Sequence, residues 1–288
     1  MLKIKELTKY YGNIKGVENL SLHVKKGEIF GFIGPNGAGK STTIKCIMNQ
    51  INKTSGEIYI NNIPNEKINI ELKKLIGYLP DEINLYDDLT VKEMFEYSNS
   101  FYDKDYSKNV AYLVEKLNID TTKKIEELSL GNLKKVGIVL AMMHEPKLLI
   151  LDEATSGLDP LIQETFYKLL LEEKKKGTTI FFSSHNLNEV KRICDRVGII
   201  KDGNLIEVNT IDELSKADFS IITITSKDIQ KIKKELNQKL ISEQKNKIKF
   251  IYQKDINNLI KLLSNYHVDK ILIENPSIEE VFMHYYRR

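Results

Sequence analysis

Cysteine is scarce: Cys46 and Cys194 are the only two in 288 residues, too few for a disulfide framework. Each sits in an apolar-patterned helical stretch, where reduced core residues of a cytosolic protein are expected. Long apolar runs are missing too. The longest, near Val136–Met143, falls far short of the roughly 18 residues that span a bilayer. The opening MLKIKELTKY has no apolar signal core, so a chain soluble on its own is expected. Charge of one sign is equally scarce, with 43 Lys/Arg against 40 Asp/Glu. Residues 1–209 hold 29 of each sign, and the excess sits in residues 210–288, with 14 basic against 11 acidic side chains. So weak and diffuse a balance argues against a nucleic-acid partner. No internal repeat and no low-complexity linker interrupts the chain.

The length favours one large domain plus a smaller one. LKIKEL at the start and GEIYINN (56–62) alternate like half-buried strands, and Asp202-Gly203 marks a hairpin between VGIIK and LIEV. Three apolar runs, EIFGFI (28–33), KLLILD (147–152) and TTIFFSS (178–184), end in polar residues and are followed by helical patterns. Strands alternating with helices predict an α/β fold with a parallel sheet and chemistry at the C-terminal strand edges. VKEMFEYSNSFY, YSKNVAYLVEKLN and NLKKVGIVLAMMHE form a helical block, expected as a subdomain over about 82–146 of a domain spanning 1–209. Beyond 210 the strand runs DFSIITIT, KIKFIY and KILIE alternate with helices, which predicts a small α+β accessory domain over 210–288.

GFIGPNGAGKSTT (31–43) is the clearest chemical signal. GPNGAGKS has the spacing of a phosphate-binding loop between a strand and a helix. Its glycines let successive N–H groups point inward at the positive end of the helix. Gly34, Pro35, Asn36, Gly37, Ala38, Gly39, Lys40, Ser41 and Thr42 are therefore the candidate nucleotide contacts. Lys40 suits the β- and γ-phosphates and Ser41 suits Mg²⁺. The plain alternative is a glycine-rich turn with a solvated lysine. LLILDE (148–153) ends an apolar strand in two carboxylates. Asp152 suits a Mg²⁺ contact and Glu153 a general base for water; a solvent-facing strand end is the alternative. LSLGN (128–132) precedes an amphipathic helix, so Ser129 and Gly131 either cap it or leave its N-terminus open to an anion. SGLD (156–159) and the strand-ending SSH (183–185), with the lone His185, follow.

This ordered set resembles the ATP-binding subunits of ABC transporters over about residues 1–209. GPNGAGKST is similar to Walker A, LLILDE to Walker B, LSLGN to the signature, SGLD to the D-loop and His185 to the switch histidine. Tyr11 in KYYGN stands where that family stacks an aromatic on adenine. The resemblance implies a P-loop core with an antiparallel β-subdomain and a helical subdomain, using ATP and Mg²⁺. It also implies head-to-tail pairing with a second ATPase subunit, as a homodimer. Ser129, Gly131, Asn132 and Asp159 would then reach the partner's nucleotide, while Glu153 and His185 carry hydrolysis. The work would drive a separately encoded membrane permease, placing the chain in the cytoplasm, peripheral on the inner face of the membrane. LTVKEMF, SSHNLNEV and the terminal PSIEEVF resemble the ABC-2 subfamily that exports drugs, peptides or bacteriocins.

The chain departs from the family pattern at Asp81, where glutamine is usual, at Leu130 and Asn132 in the signature, and at Ala154 after Walker B. Asp81 is either a Mg²⁺ ligand or a cap on the turn after Pro80. Two rival readings are a soluble ABC ATPase acting on ribosomes or DNA, and a non-hydrolysing regulatory or immunity subunit.

Overall fold

The computed structural model describes residues 1–66, 69–215, 219–238, 240–277 and 280–281. The chain divides into two compact units, Met1–Asn209 and Thr210–Arg288.

The first unit opens with β1 (Leu2–Tyr11) and β2 (Ile14–Val24), paired antiparallel. Alternation buries Leu2 and Ile4, and a bulge between Ile4 and Leu7 shifts the register so that Leu7 is the next buried residue. β3 (Ile29–Ile33) leads through the glycine-rich loop into α1 (Lys40–Ile47). β4 (Ser55–Ile60) returns to pair with β1, and β5 (Ile63–Pro64) completes an antiparallel sheet of order β2-β1-β4-β5. Next come α2 (Ile70–Lys74), β6 (Ile76–Leu79), and the helices α3 (Val91–Asn99), α4 (Ser107–Leu117) and α5 (Leu130–Met142). Thr90 and Glu93 form a capping box that starts α3.

The chain then lays down β7 (Leu148–Asp152), α6 (Pro160–Lys175), β8 (Thr179–Ser184), α7 (Leu187–Ile193), β9 (Arg196–Lys201) and β10 (Asn204–Thr210). Strand order in the second sheet is β10-β9-β3-β8-β7-β6, and the pairs β9–β3, β3–β8, β8–β7 and β7–β6 are parallel. Every residue of β3, β7 and β8 is buried. Their unbroken apolar runs are what a parallel sheet covered on both faces requires. Asp202 and Gly203 both have positive φ, +47° and +78°, as a tight primed hairpin turn demands.

One core cluster joins Leu2, Ile4 and Ile60 of the antiparallel sheet to Ile44 and Ile47 of α1 and to Phe30, Phe32 and Phe181 of the parallel sheet. α1 is thereby pinned between the sheets. At Gly77 a Cβ would lie 2.0 Å from the Ala141 carbonyl oxygen, so only glycine lets α5 approach β6 this closely. Cys46 is on α1 and Cys194 caps α7; both are buried free thiols. Burial pushes the Cys46 thiol up to about 11 and the Cys194 thiol up further still.

The second unit contains α8 (Ile211–Ser215), β11 (Ser220–Thr225), α9 (Ile229–Leu236), β12 (Leu240–Gln244), β13 (Lys247–Tyr252), α10 (Ile256–Leu263) and β14 (Lys270–Glu274). Its sheet is antiparallel, in the order β12-β13-β11-β14. Ile222, Ile224, Ile248 and Phe250 pack with Ile229, Ile232, Leu259 and Leu263 from the two helices. Asp218 of the DFSIITIT run, and Ile278, Glu279 and Phe282 of PSIEEVF, lie outside the described residues. Among the described residues no helix is long and apolar enough to cross a membrane.

Candidate active site

Three neighbouring strands of the parallel sheet, β3, β8 and β7, end on one edge, and each delivers part of one site. After β3 the loop folds tightly. At Gly34 a Cβ would sit 2.5 Å from the Ile200 carbonyl oxygen, and Gly39 has φ +106° with a Cβ position 2.8 Å from the Gly16 carbonyl oxygen. Neither position admits another residue. Gly39 is also the N-cap of α1 and offers no side-chain cap, so the first N–H groups of the helix stay open to an anion. The Gly203 N–H donates to the Ala38 carbonyl at 3.0 Å, clipping the loop to the β9–β10 turn.

Lys40 is buried and folds back over its own loop. Its ammonium donates to the carbonyls of Gly34 at 2.7 Å and Pro35 at 3.1 Å, and lies 3.2 Å from Glu153 Oε1. Tyr11, Asn36, Gly37, Gly39, Lys40, Ser41 and Thr42 line one open cavity of about 400 Å³, together with Asp81 and Glu153. Gly34, Pro35 and Ala38 are not on its wall: they shape the loop from behind. Tyr11 is half exposed, with the Lys9 ammonium 4.9 Å above its ring.

β7 ends at Asp152, which is buried and accepts a hydrogen bond from Ser183 Oγ at 2.9 Å. Burial pushes its carboxyl above the ordinary aspartate value. Hydrogen bonds from Ser41 and Ser183 oppose that push, while the charges of Asp81 and Glu153 add to it. Glu153 follows in the left-handed region, φ +47°, a conformation that costs a non-glycine residue of order 1 kcal/mol or more. That turn sets its carboxylate between two groups: Oε2 is 2.8 Å from His185 Nδ1, and Oε1 faces Lys40. Oε1 is buried and makes no hydrogen bond, so the Lys40 contact is an ion pair without hydrogen-bond geometry. The loop after β8 is held by Glu189, which accepts from Ser184 Oγ at 2.7 Å and Thr155 Oγ1 at 2.8 Å. His185 itself is exposed.

Ser41, Asp152 and Asp81 share a second open cavity of about 420 Å³ with Lys45, Gln50 and Tyr78, whose hydroxyl burial pushes up to about 12. An all-oxygen donor set beside crowded carboxylates suits Mg²⁺. That ion takes one or two protein oxygens plus phosphate and water, not a full protein cage. The Asp81 carboxylate makes no hydrogen bond among the described residues, and its Oδ1 lies 3.9 Å from the Lys134 ammonium. The turn uses the Asp81 backbone instead: the Lys134 ammonium donates to the Asp81 carbonyl at 2.8 Å and the Pro80 carbonyl at 3.4 Å.

Lys134 escaped the sequence reading. It is 1% exposed, and burial holds its ammonium below the ordinary lysine value against the pull of Asp81, Asp152 and Glu153. Its signal was positional: Lys134 falls on the helix stripe shared with Ile138 and Ala141, both buried.

Ser129, Gly131, Asn132 and Asp159 do not line the Lys40 cavity. Ser129 is the exposed N-cap of α5, and its Oγ accepts from Asn132 N at a long 3.4 Å. At Gly131 a Cβ would lie 2.8 Å from the Gly157 carbonyl oxygen, so LSLGN and SGLD touch. Leu130 leans toward Gly157 yet stays 67% exposed. The Asp159 carboxylate caps α6, accepting from Leu161 N and Ile162 N at 3.0 Å each.

The raised Asp152 value has a consequence for stability. A carboxyl raised in the folded state favours folding fully below the ordinary carboxylate pKa. That contribution disappears as pH rises through the folded value, and at neutral pH the buried charge is a cost. Asp152→Asn should therefore raise the Tm of the nucleotide-free protein at pH 7 by a few degrees, since 1 kcal/mol moves a domain of this size by roughly 2–4 °C. Calorimetry at pH 7 and near the carboxylate range should show the advantage shrinking on acidification; a lower Tm at pH 7 contradicts the assignment.

Residues 17–156 match the family described as ABC transporter. Linearmycin resistance ATP-binding protein LnrL of Bacillus subtilis (strain 168) is 31% identical over 302 residues, covering 98% of this chain and 97% of its own. Bacitracin transport ATP-binding protein BcrA of Bacillus licheniformis is 37% identical over 222 residues, covering 75% of this chain and 72% of its own. The solved dimeric structure of a post-hydrolysis state of the ATP-binding cassette MJ0796, bound to ADP and Pi, aligns with a TM-score of 0.67 at 28% identity. That alignment covers 73% of this chain and 99% of the other. With a glycine-rich loop, a paired carboxylate and a histidine gathered on one sheet edge, and with these relatives, the chain belongs to the ABC transporter family as an ATP-binding protein.

Proposed function

We propose that the chain hydrolyses ATP in a head-to-tail pair of subunits and thereby powers export through a separate membrane permease, docking on it from the cytoplasm. The observation that carries this reading is the shared carboxylate: Glu153 stands between Lys40 and His185 at the mouth of the phosphate loop. Lys40 here contacts two carbonyls and Glu153. The β- and γ-phosphates of ATP are stronger partners for an ammonium, so their arrival draws Lys40 away and leaves Glu153 Oε1 free to accept a proton from water. His185, fixed by the same carboxylate, orients Glu153 and faces the transferred phosphoryl group. Tyr11 stacks on the base at the outer end of the cavity.

Mg²⁺ would supply charge neutralisation to the phosphates; Ser41 and Asp152 would hold it, with Asp81 lining the same cavity from the loop after β6. Ser129, Gly131, Asn132 and Asp159 act on the nucleotide of the other subunit. Their position away from the Lys40 cavity supports this, as does the dimeric state of the MJ0796 cassette. Export of a drug or peptide is supported by the names of LnrL and BcrA, a resistance and a bacitracin transport protein.

Glu153→Gln should retain ATP binding while hydrolysis falls by about 10²–10⁴, the range for a lost general base. Ser129→Arg should slow hydrolysis comparably yet leave ATP affinity unchanged, because Ser129 lies outside its own chain's cavity. Full turnover in the first variant removes Glu153 as the base; full turnover in the second removes the reading across subunits.

Asp81→Asn should raise the Mg²⁺ concentration for half-maximal hydrolysis, since a charge-assisted contact is roughly twice as strong as a neutral one. A Mg²⁺ titration curve that does not move excludes Asp81 as a metal ligand.

A further inference from the structure

β14, the five-residue run KILIE, forms one edge of the sheet in the second unit, and every one of its residues is exposed. Ile271, Leu272 and Ile273 are 37%, 38% and 42% exposed. A bare, apolar strand edge is a template for another strand unless something covers it.

Which backbone groups the edge offers follows from the ladder. Ser226 N donates to the Asn246 carbonyl at 2.9 Å, continuing the register in which Thr225 faces Lys247. Alternate residues of a strand turn their polar groups to opposite sides. Ile222 and Ile224 of β11 therefore bond to β13, while Ile221, Thr223 and Thr225 bond to β14. Their partners in β14 are Glu274, Leu272 and Lys270. By this alternation the N–H and C=O groups of Ile271 and Ile273 are the ones directed outward, away from β11.

We propose that this edge is a pairing surface for a second copy of the same chain, antiparallel about Leu272. In that register Ile271 stands opposite Ile273 of the second copy. The pair exchanges both backbone hydrogen bonds, and the symmetry repeats the exchange, so all four outward groups of Ile271 and Ile273 on each strand are used. The side chains agree. Ile271 and Ile273 continue the apolar row of Ile224 and Ile222 on the helix-covered face, to which the register joins them. On the other face Leu272 meets Leu272, flanked on both sides by Lys270 opposite Glu274. Only this register pairs both charges, and charge complementarity under a two-fold axis selects an identical partner. A strand–strand contact of this size gives a weak dimer, and it forms without nucleotide.

The test is sedimentation velocity of the full-length chain, free of nucleotide, over a range of micromolar concentrations. A monomer–dimer equilibrium is expected. Lys270→Glu sets like charges face to face twice and should raise the dimer dissociation constant by about tenfold, as should Glu274→Lys. The double variant Lys270→Glu with Glu274→Lys restores opposite charges and should return the constant to the wild-type value. Because that double variant carries both changes, its recovery separates lost pairing from lost folding. A chain that stays monomeric throughout, or a dimer indifferent to the single swaps, overturns the proposal.

Discussion

One carboxylate organises the site. Glu153 lies just past the end of β7, turned by a left-handed backbone so that a lysine from the start of α1 and a histidine just past the neighbouring β8 meet it. The contact needs β3, β7 and β8 to be adjacent and parallel, and to end level. Gly39 must bring the loop back toward Gly16, and Glu189 must hold the loop after β8. The clip from Gly203 to Ala38 and the packing of α1 between two sheets serve the same placement. Remove the juxtaposition and Lys40 is only a lysine satisfying its own loop.

Several features of this edge oppose stability. Asp152 is buried with its carboxyl pushed up, Lys134 is buried with its ammonium pushed down, and Glu153 occupies a conformation that favours glycine. Such groups are costly in an apolar interior unless a ligand compensates them. Under the proposed function, a triphosphate with a divalent cation would bring both signs of charge to these groups. Lys134 adds a link from the helical layer: it grips the backbone of the loop that carries Asp81, tying α5 to that loop.

The strands that carry the site were readable because burial on both faces writes itself as an unbroken apolar run, as in IFGFI and LLILD. The half-buried β2 was not read, because Gly16 and Asn19 blur its alternation, and β12, with Glu243 and Gln244 exposed, has hardly any apolar pattern to detect. Residue types at fixed spacing gave Lys40, Asp152, Glu153 and His185 as candidates, but not their contacts, since the pairing of Glu153 with both Lys40 and His185 depends on strand order. Lys134 went unread because lysine on a helix is ordinarily a solvated group; only its place on the buried stripe of α5 marks it. Asp159 stands in SGLD, and its carboxylate caps α6 within its own chain, a contact that residue spacing alone did not show.

Under the proposed function, Lys40 exchanges Glu153 for phosphate when nucleotide arrives. Isothermal titration of ATP against Lys40→Ala tests it most directly. Affinity should fall on the order of a hundredfold, the loss of charge-assisted contacts in a site with little water. An affinity equal to that of the unaltered chain would contradict it.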